Sequence, residues 1–160
     1  MKASRRLVLS MDEQTLKVFR GGDCLGAFPV STALKGMGFQ KDSYQTPTGR
    51  FRVVEKIGDG LPSGTIFKCR VPVGIWHPGE AVQEDLILTR ILRLDGLDDA
   101  NANTLERCIY IHGTHREDQL GQPVSHGCVR LGNADMIELF GMVTCGDLVE
   151  IQPLTQQGDQ

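Results

Sequence analysis

The sequence predicts a single domain that is mainly β, with one or two short helices. A chain of 160 residues matches the usual length of one domain. Its 19 glycines and 7 prolines exceed average usage, and residues of these types favour turns over long helices. Between the turns, short segments of alternating apolar and polar residues recur without a break in composition. We therefore expect one domain over residues 1–152 and a flexible tail at 153–160.

The strands are predicted from this alternation in chain order. Arg6–Ser10 and Thr15–Arg20 flank a polar four-residue segment, which indicates a β-hairpin. Gly21 and Gly22 then turn the chain into a third strand at 24–31. Five further strands are predicted from β-branched and aromatic positions, at 51–57, 65–73, 85–94, 108–111 and 148–151.

Two segments have helical character. In the clearer one, Asn133 is placed to cap the helix, Asp135 lies in the first turn, and Gly146 marks the end. Its apolar positions recur at helical spacing: Met136, Leu139, Phe140 and Val143. The second candidate, 97–107, has acidic residues near its start and could equally be a polar loop.

Charge and cysteine content limit which ligands the protein can bind and indicate the cellular compartment in which it works. The 17 basic and 20 acidic side chains give a net charge of −3, which excludes a field that gathers nucleic acid or an anionic membrane. The apolar run Leu7-Val8-Leu9 is too short for a signal peptide, and no membrane span is expected. The five cysteines are odd in number and widely spaced, unlike a disulfide framework. We expect a cytoplasmic location, with the periplasm as the alternative if the chain is a trimmed precursor.

The strongest chemical signal is a cluster of three histidines and one cysteine within 17 positions, from His112 to Cys128. A cysteine is a nucleophile only as a thiolate, and its free pKa is about 8.5, so it needs a nearby imidazole or backbone N–H dipoles. His112 ends a predicted strand, and Cys128 follows a turn that contains Pro123. A return from strand through loop to strand could therefore place the two side chains together.

Neighbouring positions suggest further roles. Gly127 lets the backbone approach a substrate, and the amides of Gly127 and Cys128 could stabilise an oxyanion. Tyr110 has the same strand parity as His112 and should share its face. Arg130 matches Cys128 in parity, which suits it to bind a carboxylate near the nucleophile. The alternate positions are expected to face the core: Ile109 and Ile111.

The residues alone leave other readings open. Cys128 could be a buried small hydrophobic residue, and Arg130 an ordinary ion-pairing residue. Ser125 could serve only to orient His126 by hydrogen bonding, and Tyr110 could merely pack. A zinc site is also conceivable, with two, ten and one residues between successive ligands: His112, His115, His126 and Cys128. The remaining cysteines and His77 are expected to have no catalytic role.

Two motifs carry a family resemblance. His112-Gly113-Thr114, followed by Ser125-His126-Gly127-Cys128-Val129-Arg130, resembles the signature of the L,D-transpeptidase catalytic domain, also called the YkuD domain. Upstream, Pro29-Val30-Ser31-Thr32 and Thr46-Pro47-Thr48-Gly49-Arg50-Phe51 resemble the strand and turn pattern of the same family. The similarity extends over roughly residues 6–151.

The resemblance implies a single-domain, β-sandwich-like fold with a Cys–His site that acts on peptidoglycan stem peptides and needs no cofactor. The cysteine matching Cys128 would attack the carbonyl of the third stem residue and expel the terminal D-amino acid. The histidine matching His112 would be the base, oriented by the carbonyl of Gly113, and His126 falls on the second histidine of the motif. Candidate substrate-binding residues are Tyr110, Thr114, Ser125 and Arg130. Carbapenem-type β-lactams are expected to modify the cysteine.

What attacks the acyl-enzyme decides the reaction. Water would make the chain an L,D-carboxypeptidase that trims tetrapeptides, whereas an amine of a second stem peptide would make it a transpeptidase forming 3-3 cross-links. Unexported members of the family resemble this chain and act on soluble muropeptides during wall recycling. We therefore expect a carboxypeptidase, with the transpeptidase as the alternative.

Overall fold

The computed structural model describes residues 4–155, which form ten β-strands, one α-helix and one short 3-10 turn. The strands are β1 Arg6–Ser10, β2 Thr15–Arg20, β3 Asp23–Pro29, β4 Gly49–Ile57, β5 Thr65–Lys68, β6 Val71–Ile75, β7 Ile87–Gly96, β8 Tyr110–Gly113, β9 Val129–Leu131 and β10 Leu148–Gln152. The helix is α1 Asn133–Met142, and the 3-10 turn is Glu117–Gln119. The predicted mainly β class is confirmed.

All ten strands belong to one sheet, whose main path runs β3-β2-β1-β10-β4-β7-β5-β6. The predicted hairpin is present, with Arg6 opposite Phe19 and Ser10 opposite Thr15. The last strand, β10, inserts between β1, to which it is parallel, and β4, to which it is antiparallel. The N-terminal and C-terminal segments are therefore joined in the middle of the sheet.

A branch of the sheet closes it on itself. β8 pairs with β7 and with β9, and β9 then meets the segment that follows β3. There, the N–H of Ser31 donates to the carbonyl of Arg130, the N–H of Arg130 donates to the carbonyl of Ser31, and both distances are 3.0 Å. The path from β3 through β1, β10, β4, β7 and β8 to β9 thus returns to residue 31 and surrounds the core.

The core lies on one face of this sheet, where alternate residues of each strand are buried. Leu7 and Leu9 of β1 and Val149 and Ile151 of β10 are all 0% exposed. Each buried side chain of this size contributes about 1.5–3 kcal/mol by leaving water. As predicted, Ile109 and Ile111 also face this core. Tyr110 faces the other way, into a smaller cluster that contains Phe67, Ile91 and Cys128.

One predicted strand differs in the structure, and the segment left open between helix and polar loop is decided in favour of the loop. The single strand predicted at 65–73 is a hairpin of β5 and β6, because Cys69 and Arg70 adopt φ values of 49° and 66° and make the tight turn that joins such strands. The candidate helix at 97–107 is a series of turns around Asn101. The Asn101 amide donates to the carbonyls of Thr48 and Arg50, so it anchors the segment to the start of β4.

The helix α1 begins differently from the prediction. Gly132 occupies the cap position and Asn133 is the first helical residue, so the capping role predicted for Asn133 is wrong. The Asn133 side chain is engaged by Thr89 and Thr114 instead. Glu117 supplies the missing acceptor, since its Oε1 accepts the Asn133 N–H at 2.8 Å.

The C-terminal boundary is only partly covered. Residues 153–155 of the predicted tail are described, and they are docked: Leu154 packs against the core and the Thr155 N–H donates to Asp12 at 3.1 Å. Residues 156–160 lie outside the described residues. Within residues 4–155, no helix has both the length and the apolar character needed to cross a membrane.

Candidate active site

The two motif segments form adjacent parallel strands. In the register of β8 and β9, Ile111 is opposite Val129 and His112 is opposite Arg130. Because side chains two residues apart point to the same face of a strand, the face opposite the main core carries the chemistry. Its residues are Tyr110, His112, Cys128 and Arg130. Neighbouring strands are about 4.8 Å apart and each residue advances about 3.3 Å, so His112 and Cys128 are diagonal neighbours.

The thiol of Cys128 is held between two backbone groups. Its Sγ accepts the Tyr110 N–H at 3.3 Å and donates to the carbonyl of Cys108 at 3.4 Å. Burial raises the pKa of this thiol to about 11, and the negative charge of Asp85 adds to the rise, whereas the Tyr110 N–H and Arg130 oppose it. The thiol is therefore protonated at neutral pH, contrary to a pre-formed thiolate, and it needs a proton acceptor before it can attack.

His112 has the geometry and the protonation state of such an acceptor. Its side chain is buried, with 2% of the residue exposed, and Nδ1 lies 2.6 Å from the carbonyl oxygen of Gly113. A carbonyl can only accept, so Nδ1 carries the hydrogen and Nε2 keeps the free electron pair. Burial lowers the pKa of the imidazole, more than the Gly113 carbonyl and Asp85 raise it. The ring is therefore neutral at pH 7, and the contact with Gly113 that the resemblance implies is present.

The turn before the cysteine is held by internal hydrogen bonds. The Ser125 hydroxyl donates to the Cys128 carbonyl at 2.7 Å and accepts the Gly127 N–H at 3.3 Å. Gly127 has φ = 127°, a conformation that side-chain-bearing residues rarely adopt. Of the two amides predicted for an oxyanion hole, that of Gly127 therefore already has a partner in the free protein.

All four predicted substrate-binding residues are buried, none of them more than 5% exposed: Tyr110, Thr114, Ser125 and Arg130. Ser125 is 2% exposed and its hydroxyl bonds within the turn, so it orients the turn rather than His126. Thr114 is 0% exposed, and its hydroxyl accepts the N–H of Arg116 at 3.0 Å. Neither side chain offers a surface to a ligand in this conformation. Tyr110 is also buried, and its hydroxyl accepts a hydrogen bond from Arg70 at 2.9 Å.

A loop that the sequence analysis left unassigned forms one wall of the site. Thr46 donates to the Gly127 carbonyl at 2.9 Å, so residues 43–46 lie beneath the catalytic turn. Arg107 fixes this loop by donating to the carbonyls of Gly38 and Gln45. Burial lowers the pKa of Arg107, and a negative charge on Cys128 would raise it, so this guanidinium is an electrostatic neighbour of the thiol. The Thr-Pro-Thr-Gly pattern was the only sequence signal for this wall.

Asp85 is a second residue that the sequence analysis missed. Its Oδ1 lies 2.9 Å from Nη2 of Arg130, and its Oδ2 lies 3.3 Å from Nδ1 of His126. Arg130 also donates to Gln119 Oε1 at 3.3 Å. These side chains line a small cleft of about 110 Å³. Asp85 belongs to the segment before β7, far from the motif in sequence, so no local pattern could identify it.

The four residues of the zinc hypothesis are not gathered. His115 Nε2 lies 3.2 Å from the Val82 carbonyl, and its ring is 6.0 Å from that of Trp76, whereas His126 contacts Asp85. Within residues 4–155, no group of three or more His, Cys, Asp or Glu side chains is arranged to hold a metal ion. His77 lies in the loop near Trp76, where its N–H donates to Glu80 at 3.0 Å.

A larger open cleft lies along the loop between β6 and β7. It has a volume of about 560 Å³ and is lined by the rings of Trp76 and His115 and by the carboxylates of Glu80 and Asp118. A neighbouring cleft of about 430 Å³ shares His115 with it and extends to Gln83 and Arg116, which also line the small cleft at Arg130. The three clefts thus share lining residues in turn, and the small cleft carries the two arginines Arg116 and Arg130 together with the carboxylates of Glu84 and Asp85.

Comparison with known proteins agrees with this arrangement. A family model described as L,D-transpeptidase catalytic domain, YkuD, matches residues 4–151. The chain is 24% identical over 148 residues to a Bacillus licheniformis protein with the provisional name L,D-transpeptidase YkuD, covering 92% of this chain and 66% of that protein. Among solved structures, an L,D-transpeptidase from Mycobacterium smegmatis superposes with a TM-score of 0.60 at 20% identity, over 94% of this chain and 59% of that one.

A further solved structure is L,D-transpeptidase 3 from Mycobacterium tuberculosis in complex with a faropenem-derived adduct. It superposes with a TM-score of 0.61 at 21% identity, over 93% of this chain and 60% of that one. At these identities the superpositions establish the fold, and this chain spans about three fifths of the length of those proteins. The family model covers the strands, the helix and both motif segments described above. The chain belongs to the L,D-transpeptidase catalytic domain (YkuD) family.

Proposed function

We propose that this chain is a cysteine-dependent enzyme that cleaves peptidoglycan stem peptides between the third, L-configured centre and the terminal D-residue. The observation that carries the proposal is the shared face of β8 and β9, on which the Cys128 thiol and the neutral, Gly113-oriented His112 are diagonal neighbours. Membership of the family supplies the substrate class. In this proposal the products are a tripeptide and free D-alanine.

The first half-reaction needs one base. His112 Nε2 takes the proton of Cys128, and the sulfur attacks the carbonyl carbon of the third stem residue. Arg107 and Arg130 favour the negative charge on sulfur during this step. When the tetrahedral intermediate collapses, His112 returns the proton to the leaving amine, and a thioester to Cys128 remains. The thiol of pKa about 11 is thus ionised only as it attacks.

The second half-reaction is hydrolysis in our proposal. His112 removes a proton from water, the hydroxide attacks the thioester carbonyl, and the Cys128 sulfur leaves and is protonated. A transpeptidase has to keep water away from the thioester until an amine arrives. Although the resting thiol is buried, the wall beside it is open on one side, since the His126 side chain is 65% exposed and Tyr44 is 55% exposed. This openness supports the carboxypeptidase.

The three clefts suggest how the substrate is oriented. Arg116, which is exposed and lines both smaller clefts, suits the carboxylate of the terminal D-residue, and Glu80 and Asp118, which line the two larger clefts, suit an amino group further along the peptide. The glycan-bearing end would then extend past Trp76.

Transpeptidation is the second candidate. The specific observation in its favour is that the relatives and the solved structures that match this chain are named L,D-transpeptidases. In that reaction the acyl-enzyme forms in the same way, and an amine of a second stem peptide replaces water.

A reducing compartment such as the cytoplasm belongs to the same proposal. All five cysteines are free, and Cys24, Cys69, Cys108 and Cys145 are exposed. Exposed thiols without disulfides are typical of reducing environments. A fusion of the native amino terminus to a reporter that is active only outside the membrane tests this placement: an active reporter contradicts it.

One incubation separates the two reactions. The purified protein is mixed with a disaccharide-tetrapeptide, alone and with a D-amino acid in excess, and the products are followed by mass spectrometry. Loss of one D-alanine without dimers, and with little exchange, supports the carboxypeptidase. Dimers or dominant exchange products identify a transpeptidase, and no change to the substrate in either mixture contradicts both.

A further inference from the structure

Asp85 is the acidic residue in direct contact with the catalytic motif, although it lies outside both motif segments. Its side chain is 27% exposed and reaches two members of the motif at once. We propose that Asp85 is a positioning residue of this site, which holds His126 and Arg130 together beside Cys128 through the two oxygens of one carboxylate. The inference rests on the proposed function for its catalytic consequence, and its geometry is independent of that function.

The contact with Arg130 neutralises a charge that is almost fully buried. The Arg130 side chain is only 5% exposed, and Nη2 lies 2.9 Å from Asp85 Oδ1. Its other side-chain contact is neutral, the Gln119 amide oxygen at 3.3 Å from Nη1, and its Nε is buried without a partner. In the part of the chain that the structure describes, Asp85 is the single carboxylate paired with this guanidinium. A buried cation needs such a partner to hold one orientation.

The contact with His126 fixes a side chain that would otherwise be loosely held. The imidazole is 65% exposed, and apart from Asp85 its recorded neighbour is the edge of the Tyr44 ring, 6.1 Å away between centroids. Asp85 Oδ2 lies 3.3 Å from Nδ1. A carboxylate favours hydrogen on the nitrogen that it faces, so Nε2 is left to meet a substrate atom.

The same carboxylate also acts on the reactive pair at longer range. The charge of Asp85 raises the pKa of Cys128 and of His112, whereas the charge of Arg130 lowers both. The other groups that act on the thiol are the Tyr110 N–H, Cys108 and Arg107. Removing the negative charge of Asp85 leaves Arg130 uncompensated, and both effects then favour the thiolate of Cys128.

Two variants separate charge from geometry. Asp85→Asn removes the charge, whereas Asp85→Glu keeps the charge and moves the carboxylate by one methylene. Asp59→Asn is the matched control, because Asp59 is exposed and has no ion pair or side-chain hydrogen bond among residues 4–155. Two quantities are measured for each: kcat/KM for release of D-alanine from a disaccharide-tetrapeptide, and the pH midpoint of Cys128 alkylation by iodoacetamide, read by peptide mass spectrometry.

For Asp85→Asn we expect kcat/KM to fall between about tenfold and a hundredfold, as for a misplaced catalytic group, and the alkylation midpoint to move to lower pH. Asp85→Glu should keep the midpoint near wild type and recover part of the activity. Asp59→Asn should match wild type in both measurements. A lower thiol pKa combined with lower turnover supports the proposal where Asp85→Asn keeps the wild-type melting temperature, because unfolding would itself expose the thiol and lower its pKa.

The proposal is overturned if Asp85→Asn retains both the activity and the midpoint of wild type. It is also overturned if both variants lose activity and thermal stability with no change in midpoint, which would assign Asp85 a purely structural role. If Asp85→Asn does not fold, Asp85→Glu decides, since full wild-type kcat/KM in that variant contradicts a requirement for this geometry. Alkylation needs no substrate, so failure of the wild-type protein to release D-alanine counts against the proposed function alone.

Discussion

At Cys128, burial works against the ionisation that catalysis requires. Burial and the charge of Asp85 raise the thiol pKa to about 11, so the resting thiol keeps its proton at neutral pH. This protects the sulfur from adventitious oxidation and alkylation, because those reactions need the thiolate. In the proposed reaction the thiol needs a base that accepts its proton when a substrate arrives, and our candidate is the His112 ring on the same face of the sheet.

Cys128→Ala is expected to abolish turnover, because no other cysteine lies beside a histidine of the motif. Imipenem should add covalently to Cys128 in the wild-type protein, as relatives with β-lactam ligands suggest. Intact-protein and peptide mass spectrometry check this adduct. Cys24→Ala and Cys145→Ala are the controls and should keep both activity and adduct formation, since these thiols are exposed and distant from the motif in sequence. An adduct that maps to another cysteine contradicts the assignment.

His112→Gln should lower the rate of acylation by about 10² to 10⁴-fold, the usual loss for a general base. The pH profile of the wild-type enzyme carries a further signature. The neutral ring is the base and burial lowers its pKa, so the rate should hold as pH falls through about 6.5 and decline only at lower pH. The rate of imipenem adduct formation, measured by mass spectrometry of quenched samples at several pH values, tests both points.

The control for that experiment is His115→Gln, which changes a histidine that contacts the Val82 carbonyl instead of the thiol. It should keep the wild-type rate within a few-fold. An equal loss of acylation rate in the two variants would contradict this assignment and would indicate a site that uses both rings.

At the scale of elements, the turn from Ser125 to Cys128 depends on one backbone conformation. Gly127 has φ = 127°, and a Cβ built there would approach the Gln45 carbonyl to 3.4 Å. The strained backbone, more than the contact, opposes any side chain. The turn is also tied to Thr46, so distortion would reach the wall of the site.

Gly127→Ala is therefore expected to reduce the free energy of unfolding by about 1–3 kcal/mol and to reduce turnover as well. Gly141→Ala is the matched control within the helix. A Cβ at Gly141 meets nothing within 4 Å, and alanine should stabilise the helix by about 0.5–1 kcal/mol. Urea unfolding of the two variants measures both values, and equal stability changes would show that the turn is not strained by a side chain.

The sequence predicted elements well where a local pattern decides them. Alternation set the bounds of β1 and β2, and parity placed Ile111 in the core and Tyr110 on the opposite face. Turns formed by ordinary residues were missed, because Cys69 and Arg70 carry no glycine signal for their positive φ. The capping of α1 was misread for a related reason: Glu117 comes from another segment and could not be found from the helix sequence.

The site shows the same division. The motif located His112, Gly113 and Cys128, since their chemistry needs close spacing on two strands. It did not locate Asp85 or Arg107, which reach the site through tertiary folding. The direction of the Cys128 pKa shift was also beyond the sequence, because burial outweighs the nearby donors only once the cluster around Tyr110 and Phe67 has formed.

At the scale of the whole molecule, β10 connects two parts of the sheet that are far apart in sequence. Its Val149 and Ile151 face the core at 0% exposure, whereas Glu150 between them faces outward with its side chain 39% exposed. The free energy of unfolding should therefore depend on the buried side chains of this strand and little on the exposed ones.

Ile151→Ala is expected to reduce the free energy of unfolding by about 2–5 kcal/mol, because it leaves a cavity at the centre of the core. Glu150→Ala, one residue earlier, should cost at most about 1 kcal/mol, since its ion pair with Arg6 is exposed and 4.0 Å long. Chemical denaturation followed by fluorescence and circular dichroism checks the difference and shows whether the molecule unfolds in one transition. Similar losses for the two variants would mean that β10 is not packed as described.

The place of β10 in the sheet also constrains when the enzyme can become active. β1 lacks its parallel neighbour, and β4 its antiparallel one, until residues 148–152 have been synthesised and have left the ribosome. Pairing of segments so distant in sequence is slow compared with local hairpins. During translation the nascent chain therefore exposes two open strand edges, and its β1–β2 hairpin waits for the last strand. The activity proposed above would therefore have no finished active-site scaffold until residues 148–152 have been synthesised.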